Sequence, residues 1–256
     1  MAWPHYGGRV CTVIVAWKCL PDASIVVAAN RDELLGRPSD PPTLLESEPP
    51  RWGGRDRLAG GTWLAIDPAG RIGAVTNRHP GGQLPVRDAD RQSRGGLPLA
   101  VLKGGDAEAH AVMRGLQASD YNPVNVLYAS LDAAYCTSID DDQGTRTIDL
   151  TPGIHVLTEQ DLDDPADPKA TRILAQARHA LNAAPDAASL LTRLRDILQS
   201  HEPNDGAAAA CIHAERHGTV SSATVVVSTD GVVRYEHAEG PPCTAPYAEI
   251  LPVNSV

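Results

Sequence analysis

The stretch CTVIVAWKCLPDASIVVAANRDE, residues 11–33, decides the fold of this chain. Two apolar runs, residues 13–17 and 25–29, flank a Pro-Asp pair. Apolar runs of this length around a turn signal predict a β-hairpin. The rest of the chain is therefore read outward from an antiparallel strand pair close to the N-terminus.

The two ends of this hairpin carry its chemically reactive side chains. An antiparallel return brings the end of the second strand beside the start of the first, so Cys11 is expected next to Asn30, Arg31 and Asp32. A guanidinium near a thiol lowers the pKa of the thiol, and a carboxylate orients an amine beside it. The pattern indicates a nucleophilic site. The alternative is that Cys11 is a small buried hydrophobe at the start of a strand.

Composition narrows the class of protein. The 256 residues are 42% hydrophobic and 21% charged, as in an ordinary globular protein, and no linker divides the chain. We expect one domain over residues 11–256, preceded by an extension, residues 1–10. The formal net charge of -10 argues against nucleic acid and anionic membrane surfaces as partners, and a small molecule is the expected ligand.

The N-terminal region has no features of a targeting segment. The first ten residues lack the apolar centre of a secretory signal, and the apolar run at residues 12–17 is too short to span a bilayer. The expected location is therefore the cytoplasm. The five cysteines are an odd number without a repeating spacing, which favours reduced thiols over a disulfide framework.

Two segments contain residues of the types that bind metals. Cys211, His213 and His217 could ligate zinc or haem, but Cys211 and His213 fall on a predicted strand, residues 207–213, and packing or surface roles are favoured. The acidic run at residues 159–167 lacks the glycine that a twelve-residue calcium loop needs, which favours a solvated loop. No metal site is expected.

Other segments give a coarse secondary structure. The Pro-rich segment 37–52 predicts a surface loop. The sequences GGTWLAI and RIGAVTN around the turn DPAG predict a second hairpin ending at Asn77. Apolar stripes predict two helices, over residues 168–181 and 190–198, that pack on a sheet. Further strands are predicted at residues 124–130, 134–139, 153–158, 221–228 and 232–237.

The segments AANRDE followed by an Arg-Pro pair, GGTWLAID with GRIGAVTN, and HGTVSSATVVV resemble the NRDE family, also called the transport and Golgi organisation 2 (TANGO2) family. The similarity runs from residue 11 to about residue 237. The resemblance implies an α+β fold of the N-terminal-nucleophile (Ntn) hydrolase type. This is a four-layer αββα sandwich in which two antiparallel sheets lie between helical layers.

Within that wider fold, the bile-salt hydrolase and penicillin acylase group is similar around its nucleophile, and the resemblance assigns catalytic roles here. Cys11 would be the nucleophile, and its free α-amine, with a pKa near ~8, would act as the base. Asp32 would hold that amine, Arg31 would stabilise negative charge, and Asn77 would donate to an oxyanion.

The resemblance also implies positions that contact substrate, and here the chain departs from its relatives. Asn30, Thr158 and Glu159 are the expected substrate-binding residues. Relatives have Ser-Asn where this chain has Thr158-Glu159, so that a neutral donor is replaced by an acceptor. Relatives also tend to have Arg where this chain has Val220. Both changes predict a different substrate or weaker activity.

The position of Cys11 poses a chemical condition, because a nitrogen in a peptide bond cannot serve as a base. Val10 precedes it, and valine can be encoded by GUG, a bacterial start codon. We therefore expect translation to begin at position 10, with autocatalytic cleavage after Val10 as the other route to a free amine.

Two functions follow from these patterns. The first is an Ntn-type hydrolase without a cofactor, which cleaves a carbon-nitrogen bond of a small amide through Cys11. The alternative is a non-catalytic protein that binds or traffics haem, a lipid or acyl-CoA in the same pocket, with Cys11 or a histidine contacting the ligand.

Overall fold

A computed structural model describes residues 11–79, 88–203, 208–231 and 233–250. The strands are β1 (Thr12–Trp17), β2 (Ala23–Leu34), β3 (Ser39–Ser47), β4 (Pro50–Asp56), β5 (Leu64–Ile66), β6 (Ile72–Asn77), β7 (Val124–Ala129), β8 (Ala134–Asp140), β9 (Gly144–Asp149), β10 (Gly153–Leu157), β11 (His217–Ser228), β12 (Val233–Ala238) and β13 (Ala248–Glu249). The α-helices are α1 (Leu97–Ala100), α2 (Asp106–Gly115), α3 (Pro168–Asn182) and α4 (Ala187–Gln199), with a 3₁₀ turn at Arg94–Gly96.

The strands form two antiparallel sheets. The first has the order β10-β1-β2-β11-β12-β13, and the second has the order β3-β4-β5-β6-β7-β8-β9. The predicted N-terminal hairpin is confirmed as β1 and β2, with Val15 opposite Val27. It lies in the middle of the first sheet because β10 pairs with the free edge of β1 and β11 pairs with that of β2.

Alternate residues of the strands build the layers. Val13 and Val15 face the second sheet and share a core with Leu64 and Ile72. On the opposite face, Ile14 packs with the buried stripes of α3 and α4. The outer face of the second sheet is covered by α1 and α2, through a third cluster. The expected α+β, four-layer αββα sandwich of the Ntn-hydrolase type is therefore confirmed, and strands buried on both faces explain the unbroken apolar run at the start of the chain.

The Pro-rich segment was predicted wrongly as a loop, because it forms β3 and β4. β3 is an edge strand, and the register of the β3–β4 pair shifts between Asp40 and Thr43, where two prolines lie. A proline on an edge strand is tolerated because the missing N–H can face away from the partner strand. A prediction from composition alone therefore excluded a strand that can form at the edge of a sheet.

The strand predicted at residues 207–213 is also wrong for the part that the structure describes. Residues 208–213 contain only an isolated bridge between His213 and Gly218. β12 pairs with residues 222–227 of β11, and beside the start of β11, which β12 does not cover, the Thr219 N–H donates to the Ile212 carbonyl over 2.9 Å. The segment turns directly into β11 at this point, so its pairing is too short to form a strand. The segment is apolar because it is buried beside the helical layer, where Ala210 joins the α3–α4 core.

Candidate active site

Cys11 lies immediately before β1, at the end of the first sheet where β2 carries its polar cluster. The β1–β2 register places Thr12 opposite Asn30. The backbone N–H of Asp32 points at the Cys11 Sγ over 3.4 Å, and the thiol faces the Asp32 carbonyl oxygen at 3.6 Å. The predicted proximity of the thiol to this cluster is confirmed, and the backbone of Asp32 sets the position of the sulfur.

The Asp32 carboxylate is fixed from two sides. Thr219 Oγ1 on β11 donates to Asp32 Oδ1 over 2.5 Å, and the ammonium of Lys169 on α3 lies 3.9 Å from Asp32 Oδ2. Burial raises the pKa of Asp32 to about 6, although the Lys169 charge and the Thr219 hydroxyl act in the opposite direction. Near neutral pH the carboxylate is ionised, and it is held beside the thiol.

Arg31 also lies in this cluster. Its guanidinium stacks over the Trp63 ring at 4.2 Å and approaches the Asp56 carboxylate at 3.6 Å. The side chain is 6% exposed, so the charge acts in a largely dry environment. The contacts come from the second sheet and hold the cation at one place next to the site.

The balance of charges on the Cys11 thiol differs from the expectation. Arg31 lowers the pKa of the thiol, as predicted, but burial is the largest effect and the Asp32 charge adds to it. Together they raise the pKa of Cys11 to about 12. The thiol is therefore neutral in this arrangement, and a reaction at sulfur needs a base that removes its proton.

A narrow pocket at Cys11 lies between the two sheets, with a cavity volume of about 20 Å³. Its lining combines polar groups at the strand ends with apolar side chains from both sheets. The lining residues are Cys11, Val13, Ala29, Asn30, Arg31, Trp63, Leu64, Ala74, Val75, Ser221 and Ala223. The pocket thus offers an apolar compartment that ends at a thiol.

Asn30 reaches this pocket but has a second set of contacts. Its side-chain Nδ2 donates to the carbonyl oxygens of Leu198 and Ala210, over 2.9 and 2.8 Å. Both carbonyls belong to the far side of the sheet, at the end of α4 and in the segment that follows. Its amide therefore ties β2 to the helical layer, and substrate binding by Asn30 stays a prediction.

Thr158 and Glu159 follow β10, which pairs with β1. Thr158 is buried, its hydroxyl donates to Asp167 Oδ2 over 2.6 Å, and its carbonyl accepts from Thr76 Oγ1 over 2.7 Å. The Glu159 carboxylate lies 2.6 Å from His79 Nδ1. Neither residue is among the described residues that line the pocket, so contact with substrate stays a prediction for both.

Asn77 is the last residue of β6, in the second sheet, where it pairs with Val124. The end of β6 is tied to the end of β10, because the His79 N–H donates to the Glu159 carbonyl over 2.9 Å. These contacts bring the end of β6 to the end of β10, which pairs with β1 in the first sheet. Asn77 is not among the described lining residues, and its oxyanion role stays a prediction.

Lys169, which is 4% exposed and faces Asp32, was not predicted as part of the site. It occupies the first turn of α3, after the Asp167 cap. A cation at a helix N-terminus is unfavourable because its charge opposes the helix dipole. A lysine in the first turn of a predicted helix was therefore the available indication of a specific acidic partner.

A prediction on stability concerns His237 on β12, which is 6% exposed. Burial and the Arg31 charge lower the pKa of His237 to about 4, whereas the unfolded imidazole titrates near ~6.5. Between these values the unfolded chain binds more protons, so His237 contributes stability above pH ~6.5 that is lost as pH falls. Relative to His237→Gln, the wild-type unfolding free energy should drop by about 2 kcal/mol from pH 7.5 to pH 5.

Urea unfolding at both pH values measures this difference, and Asp32 cancels from it because both variants contain it. The exposed His179, replaced by Gln, is the matched control and should leave the pH dependence of the wild type unchanged. An equal difference between wild type and His237→Gln at the two pH values would contradict the shifted pKa.

Four residues with ligand atoms for a metal also come together, away from this pocket. They are His201, Cys211, His213 and Cys243, and they do not include His217.

Within the described residues, no helix is long and apolar enough to cross a membrane.

Solved structures with similar folds are Ntn hydrolases. A Caenorhabditis elegans N-acylethanolamine-hydrolyzing acid amidase ortholog superposes with a TM-score of 0.51 at 15% identity, covering 84% of this chain and 92% of that one. The C2A mutant of the conjugated bile acid hydrolase from Clostridium perfringens superposes with a TM-score of 0.53 at 7% identity, covering 96% and 94%. At these identities the similarity establishes the fold.

Sequence comparison identifies the family. The chain is 26% identical to the Transport and Golgi organization 2 homolog of Mus musculus over 247 residues, 82% of this chain and 84% of that protein. The Homo sapiens homolog is also 26% identical, with the same coverage. The family model of Transport and Golgi organisation 2 matches residues 10–239. The chain therefore belongs to the Transport and Golgi organisation 2 family.

Proposed function

We propose that this protein is a cysteine Ntn hydrolase that cleaves the carbon-nitrogen bond of a small amide, with Cys11 as the nucleophile. The observation that carries the proposal is the position of the Cys11 thiol. It lies at the end of a pocket between the two sheets, held by the backbone of Asp32 and flanked by Arg31. The similar folds named as an amidase and a bile acid hydrolase support the reaction class.

The neutral thiol needs a base, and the α-amine of a chain that begins at Cys11 would supply it. The amine would accept the thiol proton and become an ammonium. The Asp32 carboxylate, which contacts Thr219 and Lys169, would hold that ammonium. Since a new cation would stand beside the sulfur, the thiolate would also be favoured electrostatically.

The reaction would then proceed in two steps, acylation of Cys11 and hydrolysis of the thioester. The thiolate attacks the amide carbon, and Arg31 together with Asn77 would stabilise the negative oxygen of the tetrahedral intermediate. The carbon-nitrogen bond breaks as the ammonium protonates the leaving amine, which leaves a thioester on Cys11. Water, deprotonated by the same α-amine, releases the carboxylic acid and restores the thiol.

The pocket lining supports an apolar acyl group as the part of the substrate that is retained in the thioester. Val13 and Ala29 from the first sheet face Leu64 and Ala74 from the second. Apolar walls with a few polar groups at one end are typical of small-molecule sites. We therefore infer that the acyl chain lies between the sheets and that the amine leaves towards the mouth.

The experiment is a rapid-mixing measurement with activated anilides of short and medium fatty acids. A protein that begins at Cys11 should release a burst of aniline equal to one equivalent of active sites, followed by slower turnover. Release at the rate of the uncatalysed reaction across the acyl series would overturn the proposal.

A second candidate is ligand binding without turnover, and the observation that favours it is the raised pKa of the Cys11 thiol. On this reading the pocket holds haem, a lipid or acyl-CoA and Cys11 contacts the ligand. Cys11 and His213 line different pockets, so a haem contacted by Cys11 should keep its Soret shift when His213 is replaced. A Soret shift lost with Cys11, in a protein without a burst, would favour this function.

A further inference from the structure

Three segments of the C-terminal part of the chain bring two thiols and two imidazoles together. His201 follows α4, Cys211 and His213 precede β11, and Cys243 follows β12. One ligand atom from each of the four residues can be chosen so that all four lie within 4.8 Å of one another. None of the four belongs to the pocket that contains Cys11.

The three distances among the ligand atoms of Cys211, His213 and Cys243 match the edges of a tetrahedral metal site, and His201 completes the set of four within 4.8 Å. The two Sγ atoms are 3.6 Å apart, and His213 Nε2 lies 3.7 Å from Cys211 Sγ and 3.2 Å from Cys243 Sγ. With metal–sulfur bonds of about 2.3 Å and metal–nitrogen bonds of about 2.0–2.1 Å, tetrahedral ligand atoms are separated by roughly 3.3–3.8 Å. A disulfide would require the two sulfurs to approach to about 2.05 Å.

His201 has the additional contact that metal-binding histidines usually make. Its Nδ1 lies 3.0 Å from the carbonyl oxygen of Cys211, so an N–H donated there leaves the lone pair on Nε2. The rings of His201 and His213 stand 5.0 Å apart at 51°, which lets both reach one ion without stacking. The backbone carbonyl of Cys211, another member of the cluster, therefore orients the His201 imidazole.

We propose that His201, Cys211, His213 and Cys243 bind one Zn²⁺ ion in a structural site. Two thiolates and two imidazoles in tetrahedral geometry are a ligand set that zinc favours, and four protein ligands leave no open position for catalysis. His201 and His213 are exposed, so the ion can enter from solvent.

The site would fasten the C-terminal segment to the body of the protein. Beyond β12 the described part of that segment, which ends at residue 250, pairs with the sheet through Ala248 and Glu249 of β13, and the Ile250 N–H donates to the Tyr235 carbonyl over 2.8 Å. A metal at Cys243 would connect it to the segment after α4. That segment also supports the polar cluster of the active site, because the N–H of Ile212 donates to Thr219 Oγ1 over 2.9 Å.

The test is metal content of the full chain, purified under reducing conditions and measured by native mass spectrometry. We expect one zinc per chain, retained against a weak chelator and released when the thiols are blocked with a mercurial reagent. Replacing zinc by Co²⁺ should give the intense visible absorption of a tetrahedral thiolate site, and His201→Ala or Cys243→Ser should lose stoichiometric binding. The matched controls, His179→Ala and Cys19→Ser, should retain it.

The exposed position of His201 makes His201→Ala suitable where a cysteine variant fails to fold. Wild-type protein without stoichiometric zinc or cobalt would overturn the proposal, as would a Cys211–Cys243 disulfide in protein from the native host. Zinc retained in both His201→Ala and Cys243→Ser would overturn it too. None of these readouts depends on hydrolytic activity, so the result is independent of the proposed function.

Discussion

Replacing Cys11 by alanine is expected to abolish the burst and to lower steady-state amide hydrolysis by at least about 10³-fold, because no other group can form the thioester. The thiol is the proposed nucleophile at the end of the pocket, and its hydrogen bonds among the described residues are with the backbone of Asp32. Removing it therefore removes the chemistry with little loss of packing. Rapid-mixing assays of wild type and variant measure the effect.

The chain offers a matched control for this substitution. Cys19 lies at the other end of the hairpin, is also partly buried, and is not among the residues that line the pocket. Cys19→Ala should keep the wild-type burst. A Cys11→Ala protein with an unchanged melting temperature and an unchanged burst would show that the nucleophile lies elsewhere.

The second large effect concerns the residue before the nucleophile. A chain that begins at Cys11 should hydrolyse the anilides at least about 10²-fold faster than a chain that retains Val10, because a peptide nitrogen cannot accept the thiol proton. Each chain can be prepared from its own precursor, with a protease site placed directly before Val10 or directly before Cys11. Their rates should be compared at about pH 9, where an α-amine with a pKa of about 8 is largely neutral.

Equal rates for the two chains would contradict the role of the α-amine. The base would then have to come from a side chain near Asp32. Lys169 is the first to test, because its ammonium lies 3.9 Å from Asp32 Oδ2 and burial lowers its pKa. A Lys169→Met variant of the longer chain would lose activity in that case.

The layers and the hairpin could be predicted because they depend on local patterns. Apolar runs of strand length around a turn predict β1 and β2, and an antiparallel return alone brings Cys11 to Asp32. The helices α3 and α4 followed from their apolar stripes. The family resemblance supplied the order of the four layers, which local patterns do not encode.

The errors come from features that depend on the tertiary structure. The prolines of β3 are tolerated because that strand is at an edge, and the apolar segment before β11 is buried beside the helical layer and meets β11 only at an isolated bridge. The pKa of Cys11 depends on the burial of the thiol, because burial raises the pKa by more than the Arg31 guanidinium lowers it. None of these quantities can be read from residue order.

The four clustered metal-binding residues show the same limit. From the sequence, Cys211 and His213 were considered as metal ligands together with His217, because the three residues are close along the chain. The structure replaces His217 with His201 and Cys243, which arrive from the end of α4 and from beyond β12. The spacing of these residues follows no short motif, and only the fold brings them together.

The most direct test of Cys11 as the nucleophile is the mass of the peptide that contains it, isolated after acid quenching of the reaction with an activated amide. We expect this peptide to begin at Cys11 and to carry one acyl group, in a thioester that hydroxylamine removes. An unmodified Cys11 peptide during turnover, or an acyl group on another residue, would contradict it.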